Sequence, residues 1–401
     1  MYYRQPRYFG DFQCVGGSCP NTCCSGWRVD WTQEEIDKVK NAPNCSPELK
    51  ELCEKSFAYN EKYKKFAIVY NEGNKCPFLT DDNFCKIQRE MGAEYLSYTC
   101  TVYPRSYTVA EPALYSHCRM SCPEIMKYII NDDKAMDLVN IKPKSPKEFA
   151  AVGANNAVIN KHPETKYRYE IFEFFYEIIS DKKYSVEDSL ILSALAAQSL
   201  TKLVENNEID RIPEAVKSLR AQMHNKSQLT SIENIKPNYY ASLGILGQML
   251  QAVCRITNNT AATSSLIDNS GRFNIDLYIA GEKLLREHLD RKPFVMRNIA
   301  LNLLFELYVP FKSYDFTIFE NFAAYVASFA LIKLNTIAVA EIKNRADDEL
   351  SARFDMDKFI IKSTAMISRT LFQNSDAYEL IVNALRGNKM LSPAYLALLV
   401  K

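Results

Sequence analysis

The stretch FQCVGGSCPNTCCSGW, residues 12–27, places four cysteines among glycine, proline and small polar residues. The cysteines follow the pattern C-x4-C-x3-C-C, and the glycines and the proline between them permit the tight turns that bring closely spaced sulfurs together. Thiolates are ligands for soft metals, which in proteins means an iron–sulfur cluster or zinc. The spacing therefore predicts a metal site in this stretch and leaves the choice between iron and zinc open.

Further cysteines extend this pattern along the first part of the chain. Eleven of the 12 cysteines lie within residues 1–122, and Cys254 stands apart at an apolar helical position that we expect to be core. A disulfide framework requires an oxidising compartment, but the segment Met1–Arg7 has no apolar signal-peptide run, so we expect a cytoplasmic protein. Metal binding is then favoured over disulfides and over inert thiols, although Cys45 and Cys53 are interpreted as core. The predicted metal ligands are Cys14, Cys19, Cys23, Cys24, Cys76, Cys85, Cys100, Cys118 and Cys122.

The composition of the sequence changes near residue 125, where the dense cysteines end. This change predicts two domains in a mainly α fold. Residues 1–125 are predicted to form a small cysteine-rich domain that binds metal. Residues 126–401 are predicted to form a larger all-helical domain, which we expect to dock a protein substrate. Apolar residues recur there every three or four positions, as in helices that pack through one face. The predicted helical segments are Tyr169–Ile179, Leu190–Val204, Leu243–Ile256, Leu277–Leu289, Phe294–Tyr308, Phe319–Ile342, Met356–Phe372, Ala377–Leu385 and Pro393–Val400.

Local signals also predict elements within the first domain. Thr32 and Glu35 form a capping-box pattern that starts a helix running to Lys40. Ser46 followed by Pro47 is typical of an N-cap with proline at the first helical position, which predicts a second helix. Apolar residues alternate through residues 64–70, which predicts a strand.

Charge and hydropathy argue against two classes of partner. The chain has 49 Lys and Arg against 48 Asp and Glu, and this balance disfavours nucleic-acid binding through bulk electrostatics. Residues 321–342 are apolar enough to suggest a membrane span, but Lys333 and Asn335 lie in the middle of them. A buried core helix is therefore expected. We predict neither a nucleic-acid partner nor a membrane partner.

Three motifs carry a resemblance to a known family. They are the adjacent pair Cys23-Cys24, the block Cys76-Pro77-Phe78-Leu79 with Cys85, and the segment LSYTCTVYPR at residues 96–105. Together they resemble the flagellin lysine-N-methylase family, which is itself similar to small cysteine-cluster domains described as zinc- or iron-chelating. The motif match covers about residues 10–125. The resemblance implies that methyl groups pass from S-adenosylmethionine to lysines of flagellin, with a 4Fe–4S cluster, or alternatively zinc, in the cysteine domain.

The sequence departs from two common arrangements of enzymes that use S-adenosylmethionine. There is no G-x-G-x-x-G after a predicted strand, so an ordinary Rossmann-type methyltransferase is not expected. The C-x3-C-x2-C triplet of many radical enzymes is also absent, because Cys19 and Cys23 have the first spacing but position 26 is glycine. This departure puts a conventional radical mechanism in doubt. The cysteines form three groups, which are Cys14–Cys24, Cys76 with Cys85 and Cys100, and Cys118 with Cys122. The ligands of a cluster are then expected from more than one of these three groups.

Candidate residues for the chemistry lie close to Cys100. Arg105 is the candidate cofactor-binding residue, because its planar guanidinium can pair with the carboxylate of S-adenosylmethionine; the alternative is a structural ion pair. Tyr98 and Tyr103 are the candidate catalytic residues, because aromatic faces attract a sulfonium donor and a lysine side chain, which are both cationic. The lysine must lose a proton before it reacts. The proton acceptor stays open among the two tyrosines, Glu94 and Asp11.

The alternative function needs no methyl transfer. A protein with the same cysteine cluster could bind iron or zinc in metal handling, or could act as an interaction scaffold around a structural metal. An enzyme should bind S-adenosylmethionine, whereas neither alternative requires it.

Overall fold

A computed structural model describes residues 1–61, 63–142, 162–223, 226–257, 263–268, 271–345, 354–372 and 375–401. Side chains of residues 226–229, 253–257 and 375 are left out of the description, so the expected core position of Cys254 lies outside it. The described residues are mainly helical, as the sequence predicts. The strands are β1 Tyr2–Pro6, β2 Asp30–Trp31, β3 Phe57–Asn60, β4 Lys65–Ile68, β5 Arg105–Ala110, β6 Ala113–Cys118 and β7 Leu138–Ile141.

The helices fall into a group of short ones and a group of long ones. The short helices, which precede residue 142, are α1 Tyr8–Asp11, α2 Gln33–Lys40, α3 Pro47–Lys55, α4 Lys86–Met91, α5 Tyr98–Val102 and α6 Pro123–Asn131. The later helices are α7 Arg168–Ser180, α8 Val186–Glu205, α9 Ile212–Gln222, α10 Lys226–Glu233, α11 Tyr239–Thr257, α12 Ile275–Leu289, α13 Val295–Glu306, α14 Ile318–Arg345, α15 Met356–Ile367, α16 Ser375–Gly387 and α17 Pro393–Val400.

A small core forms from residues between β2 and α5. Strands β2, β4 and β3 pair in that order as an antiparallel sheet, and Trp31, Leu49 and Phe78 are buried against it. The predicted capping box is confirmed, since Thr32 accepts from the backbone of Glu35 and the Glu35 side chain accepts in return. The Ser46 N-cap with proline at the first helical position is confirmed too, as is a strand within residues 64–70.

A second sheet joins the start of the chain to the long helices. Its order is β5-β6-β1-β7, with β1 parallel to β6 and antiparallel to β7. Tyr115 on β6 and Tyr8 on the neighbouring α1 share one apolar core with α6 and the later helices. The strand β7 lies in the segment predicted to be all-helical, because its backbone completes the edge beside β1. The division at 125/126 stays a prediction, while this core draws residues from both sides of it.

The long helices pack around α14. This 28-residue helix is long and apolar enough to cross a membrane. However, 94% of its most apolar 18-residue stretch is buried inside the protein. It contacts α8, α12, α15, α16 and α17, which surround it. The expectation of a buried core helix is confirmed, and this burial is compatible with a soluble protein. The sequence predicts one regular helix over residues 356–372. In the structure the α-helix ends at Ile367, and the last turn, Ser368–Phe372, is π-helical.

Candidate functional site

Eight of the nine predicted metal ligands line one cavity of about 300 Å³. They come from all three cysteine groups in the sequence, and they are Cys14, Cys19, Cys23, Cys24, Cys76, Cys85, Cys100 and Cys122. The cavity lies between the small core and the first turn of α6, and Glu124 also lines it. The fold therefore gathers thiols from Cys14 to Cys122, which are far apart in the chain.

Backbone pairing holds the thiols on the small-core side. The backbone N–H of Cys76 donates to the carbonyl oxygen of Cys24 at 2.8 Å, and Leu79 forms an antiparallel bridge with Cys85. Cys100 lies in the first turn of α5, where its backbone N–H donates to the hydroxyl of the N-cap Ser97 at 3.1 Å. Three separate segments thus present their sulfurs to one space.

Cys118 is the predicted ligand that the structure places elsewhere. It ends β6, is fully buried, and does not line the cavity; its backbone carbonyl accepts from Tyr8 and Asn302. The neighbouring His117 is also buried, and neither ring nitrogen has a hydrogen-bond partner among the described residues. Burial lowers the pKa of His117 well below its ordinary value, so the ring is neutral. Cys45 and Cys53 pack in the small core and do not line the cavity either.

Burial controls the electrostatics of the cavity thiols. It raises the pKa of Cys100 to about 12 and of Cys122 to about 11, and it raises the pKa of Cys76 further. A hydrogen bond between Cys23 and Cys24 lowers the pKa of Cys24 to about 7 and, with burial, raises that of Cys23. Because thiolates crowded here repel one another, a positive charge among them would favour their ionised form. A bound metal supplies such a charge.

The arrangement of the sulfurs bears on which metal fits. No group of three or more His, Cys, Asp or Glu side chains in the described ranges is arranged to hold a single ion. Four thiolates around one zinc lie about 3.8 Å apart, because each zinc–sulfur bond is about 2.3 Å long and the geometry is tetrahedral. A 4Fe–4S cluster binds one thiolate at each iron corner and so spreads its ligands more widely. Eight thiols line the cavity, and thiolate is the ligand type that a 4Fe–4S cluster takes at every iron.

A second, larger opening adjoins the thiol cavity. This cleft has a volume of about 550 Å³ and shares Trp27, Tyr103 and Arg105 with the thiol cavity. All three residues predicted for cofactor binding and catalysis line it. The ring of Tyr98 is at the surface with 65% exposure, whereas Tyr103 lies deeper, 4.9 Å from Trp27 between ring centroids. The Tyr103 hydroxyl shares a hydrogen bond with Ser121 at 3.0 Å, and burial raises its pKa well above the ordinary value.

Positive side chains dominate the cleft. Arg105 donates to the carbonyl oxygen of Phe12 at 3.4 Å and lies over its ring at 5.0 Å, but it forms no salt bridge with a described carboxylate. Arg119 and Lys312 also line the cleft, and both interact electrostatically with the buried Glu306. Burial, together with the charge of Arg119, lowers the pKa of Lys312 to about 8. The cleft is therefore suited to a ligand that carries a carboxylate or another anion.

The mouth of the cleft combines a carboxylate with an aromatic ring. Asp30 lines it and accepts from the Arg28 side chain at 2.6 Å, and the same guanidinium lies 3.5 Å from the ring centroid of Tyr63. Asp11 and Glu94, which the sequence offers as proton acceptors, do not line the cleft.

Sequence reasoning missed several lining residues, and the reasons differ. Lys312 reaches the cleft from the connection between α13 and α14, and Phe372 reaches it from the π-helical turn after α15. No local pattern connects either residue with the cysteines. Arg119 lies beside Cys118, and Asp30 follows Trp27 closely, so proximity to the motifs was the available signal for these two.

The family model described as the FliB lysine N-methylase C-terminal domain matches residues 172–399, which is more than half of the chain. The protein named lysine-N-methylase of Salmonella typhimurium is 21% identical over 86% of this chain and 87% of its own length, and a protein of that name from Salmonella choleraesuis matches equally.

A shorter relative also matches. The flagellar biosynthetic protein FliU of Salmonella muenchen is 26% identical over 33% of this chain and 80% of its own length. No solved structure matches the chain. The family model covers the long helices, and the full-length relatives extend the similarity beyond them. The chain therefore belongs to the FliB lysine N-methylase family.

Proposed function

We propose that this protein methylates lysine side chains of flagellin, with S-adenosylmethionine as the donor and a 4Fe–4S cluster in the thiol cavity. The observation that carries the proposal is the junction of the thiol cavity with the cleft through three shared residues, Trp27, Tyr103 and Arg105. Two relatives named lysine-N-methylase support the reaction class, and a relative named as a flagellar biosynthetic protein supports the choice of substrate.

The cluster would be held by thiols from more than one segment. Cys24, Cys76, Cys85 and Cys100 are candidate ligands on the small-core side, because backbone contacts and a helix start already fix their positions. An iron–sulfur cluster supplies one-electron chemistry when it is bound. The nearby guanidinium of Arg105 offsets part of the negative charge of four thiolates.

Arg105 is the residue proposed to hold the donor. Its guanidinium has no carboxylate partner among the described residues, so its charged donors are available for the carboxylate of S-adenosylmethionine. The rings of Trp27 and Tyr103 lie beside it and offer faces to the positively charged sulfonium. Together these residues would orient the methyl group within the cleft.

The acceptor lysine must enter as an ammonium and react as a neutral amine. We propose that the exposed ring of Tyr98 receives the lysine side chain at the mouth, and that Asp30 accepts its proton. Tyr103 is assigned to positioning through its ring, because its raised pKa keeps the hydroxyl protonated. The neutral amine then takes the methyl group as the sulfonium carbon–sulfur bond breaks.

Mass spectrometry of flagellin tests the proposed function. Anaerobically purified protein is incubated with flagellin and isotopically labelled S-adenosylmethionine, and peptides are mapped. We expect labelled methyl groups on flagellin lysines, and no label when the Asp30→Asn variant replaces the native protein at the same concentration. Flagellin without label, from a protein that carries its full complement of iron, would favour the metal-handling alternative.

A further inference from the structure

A π-helical turn in the C-terminal half contacts the loop that carries the first cysteines. The turn is Ser368–Phe372, which follows α15, and Arg369 projects from it. Its guanidinium Nη1 donates to the side-chain oxygen of Asn21 at 3.3 Å and to the carbonyl oxygens of Thr22 and Ser25, each at 3.4 Å. Nη2 donates to the carbonyl oxygen of Asn21 at 3.5 Å. Cys23 and Cys24 lie between Thr22 and Ser25, whose carbonyl oxygens both accept from Arg369.

The same turn also holds the segment before Cys122. Arg369 Nη2 donates to the carbonyl oxygen of Ser121 at 3.3 Å. The hydroxyl of the preceding Ser368 donates to Glu306, which accepts from the backbone N–H of Met120 at 3.1 Å. The guanidinium of Arg369 therefore bridges two segments that each carry cavity thiols. Ser368 contacts the second segment as well, through the buried side chain of Glu306.

We propose that Arg369 is a positioning residue that fixes the cysteine loop 19–25 against the turn at Cys122, so that thiols of both segments face one metal centre. The guanidinium is suited to this task because it presents several donors in one rigid plane, which a lysine ammonium cannot reproduce. Its location on a π-helical turn agrees with the frequent occurrence of such turns at functional sites. The inference rests on the proposed cluster and adds a dependence on the C-terminal half, outside the cysteine motifs.

The first test compares Arg369→Lys with Arg386→Lys. Arg386 lies on α16 in the same part of the fold and donates to Glu320 at 2.6 Å, remote from the thiols, so its variant controls for the loss of one arginine. After anaerobic reconstitution we expect R369K to lose most of its iron and the visible absorption of the cluster, while R386K keeps both. Circular dichroism should show unchanged helix content in both variants. R369K with full iron content and an unchanged absorption spectrum would overturn the proposal.

The second test needs no metal and so separates this inference from the proposed cluster. In iron-free protein, alkylation of Cys23 and Cys53 is followed by peptide mass spectrometry; Cys53 is buried in the small core and serves as the internal reference. We expect R369K to raise the rate at Cys23 by roughly tenfold, as the loss of charged hydrogen bonds predicts, without changing the rate at Cys53. Equal rates at Cys23 in the native protein and R369K would refute the role of Arg369, whether or not the native protein binds iron.

Discussion

At the scale of single residues, the sequence predicts which types of side chain form the site. It predicts less well which individual side chains face the cavity. Cys76 and Cys118 look alike as members of a dense cysteine pattern, but the first lines the thiol cavity and the second faces the core behind β6. Spacing shows that thiols are close along the chain. It does not show which side of a strand or turn each thiol occupies, because that depends on packing with residues far away in the sequence.

Cys76→Ser and Cys118→Ser provide a matched pair, since both remove a buried thiol. We expect Cys76→Ser to lose most bound iron, because thiolate is the preferred ligand of iron–sulfur clusters and this thiol lines the cavity. Cys118→Ser should keep its iron, because its thiol does not line the cavity. Iron and sulfide analysis after anaerobic purification measures both. Loss of iron in Cys118→Ser with full retention in Cys76→Ser would show that the cavity is not the metal site.

Arg105→Ala tests whether this arginine binds the donor. A charged hydrogen bond contributes about 1.5–3 kcal/mol, so we expect affinity for S-adenosylmethionine to fall by roughly tenfold or more. The melting temperature should change little, because Arg105 has no salt bridge to lose among the described residues. Arg7→Ala, which removes a half-exposed ion pair with Asp132, is the control. Titration calorimetry that finds equal affinity in Arg105→Ala and the native protein would remove Arg105 from the donor site.

At the scale of elements, local chemistry predicts helices well where periodicity or a cap is strong. The Thr32 capping box and the apolar helix around residues 321–342 are both present as predicted. The π-helical turn at Ser368–Phe372 was not predicted, because the apolar spacing of residues 356–372 fits a regular helix equally well. The carbonyl groups that Arg369 of this turn reaches belong to residues far away in the sequence, so no local pattern reports the contact.

The contact between α12 and α14 depends on one glycine. A Cβ placed at Gly281 would lie 2.5 Å from the carbonyl oxygen of Ile337 and 2.9 Å from the Cβ of Glu341. We therefore expect Gly281→Ala to reduce the free energy of unfolding by about 1–3 kcal/mol, because the two helices must move apart. Urea unfolding followed by circular dichroism measures the change.

The control for that prediction is Gly244→Ala on α11. Apart from neighbouring atoms of its own helix, no atom lies within 4 Å of a Cβ placed there. The substitution should therefore stabilise the helix by about 0.5–1 kcal/mol, because alanine loses less backbone entropy on folding than glycine. An unchanged free energy of unfolding in Gly281→Ala would mean that α12 and α14 do not approach as closely as described.

At the scale of the whole molecule, the sequence suggests two domains, and the packing ties them together. The composition does change near residue 125, but the four-stranded sheet takes strands from both sides of that point. The main core likewise includes Tyr8 and Ile125 along with the long helices. The composition shows where the cysteine-rich part of the sequence ends. It does not predict which apolar surfaces pack against each other in the folded chain.

A fragment of residues 140–401 tests this connection. It lacks β1, β5, β6 and α6, so apolar residues of α13 and α15 that pack on α6 would meet water. We expect the fragment to lose the cooperative thermal transition of the full chain while keeping part of its helical signal. A cooperative transition at the temperature of the full-length protein would support the division at 125/126 instead.

The central claim is that the thiol cavity and the cleft form one site, with a cluster in the first and a methyl donor in the second. Electron paramagnetic resonance of the reduced protein, recorded with and without S-adenosylmethionine, tests it most directly. Because Trp27, Tyr103 and Arg105 line both spaces, we predict that the bound donor shifts the cluster signal. A signal that stays the same when calorimetry shows the donor to be bound would contradict the claim.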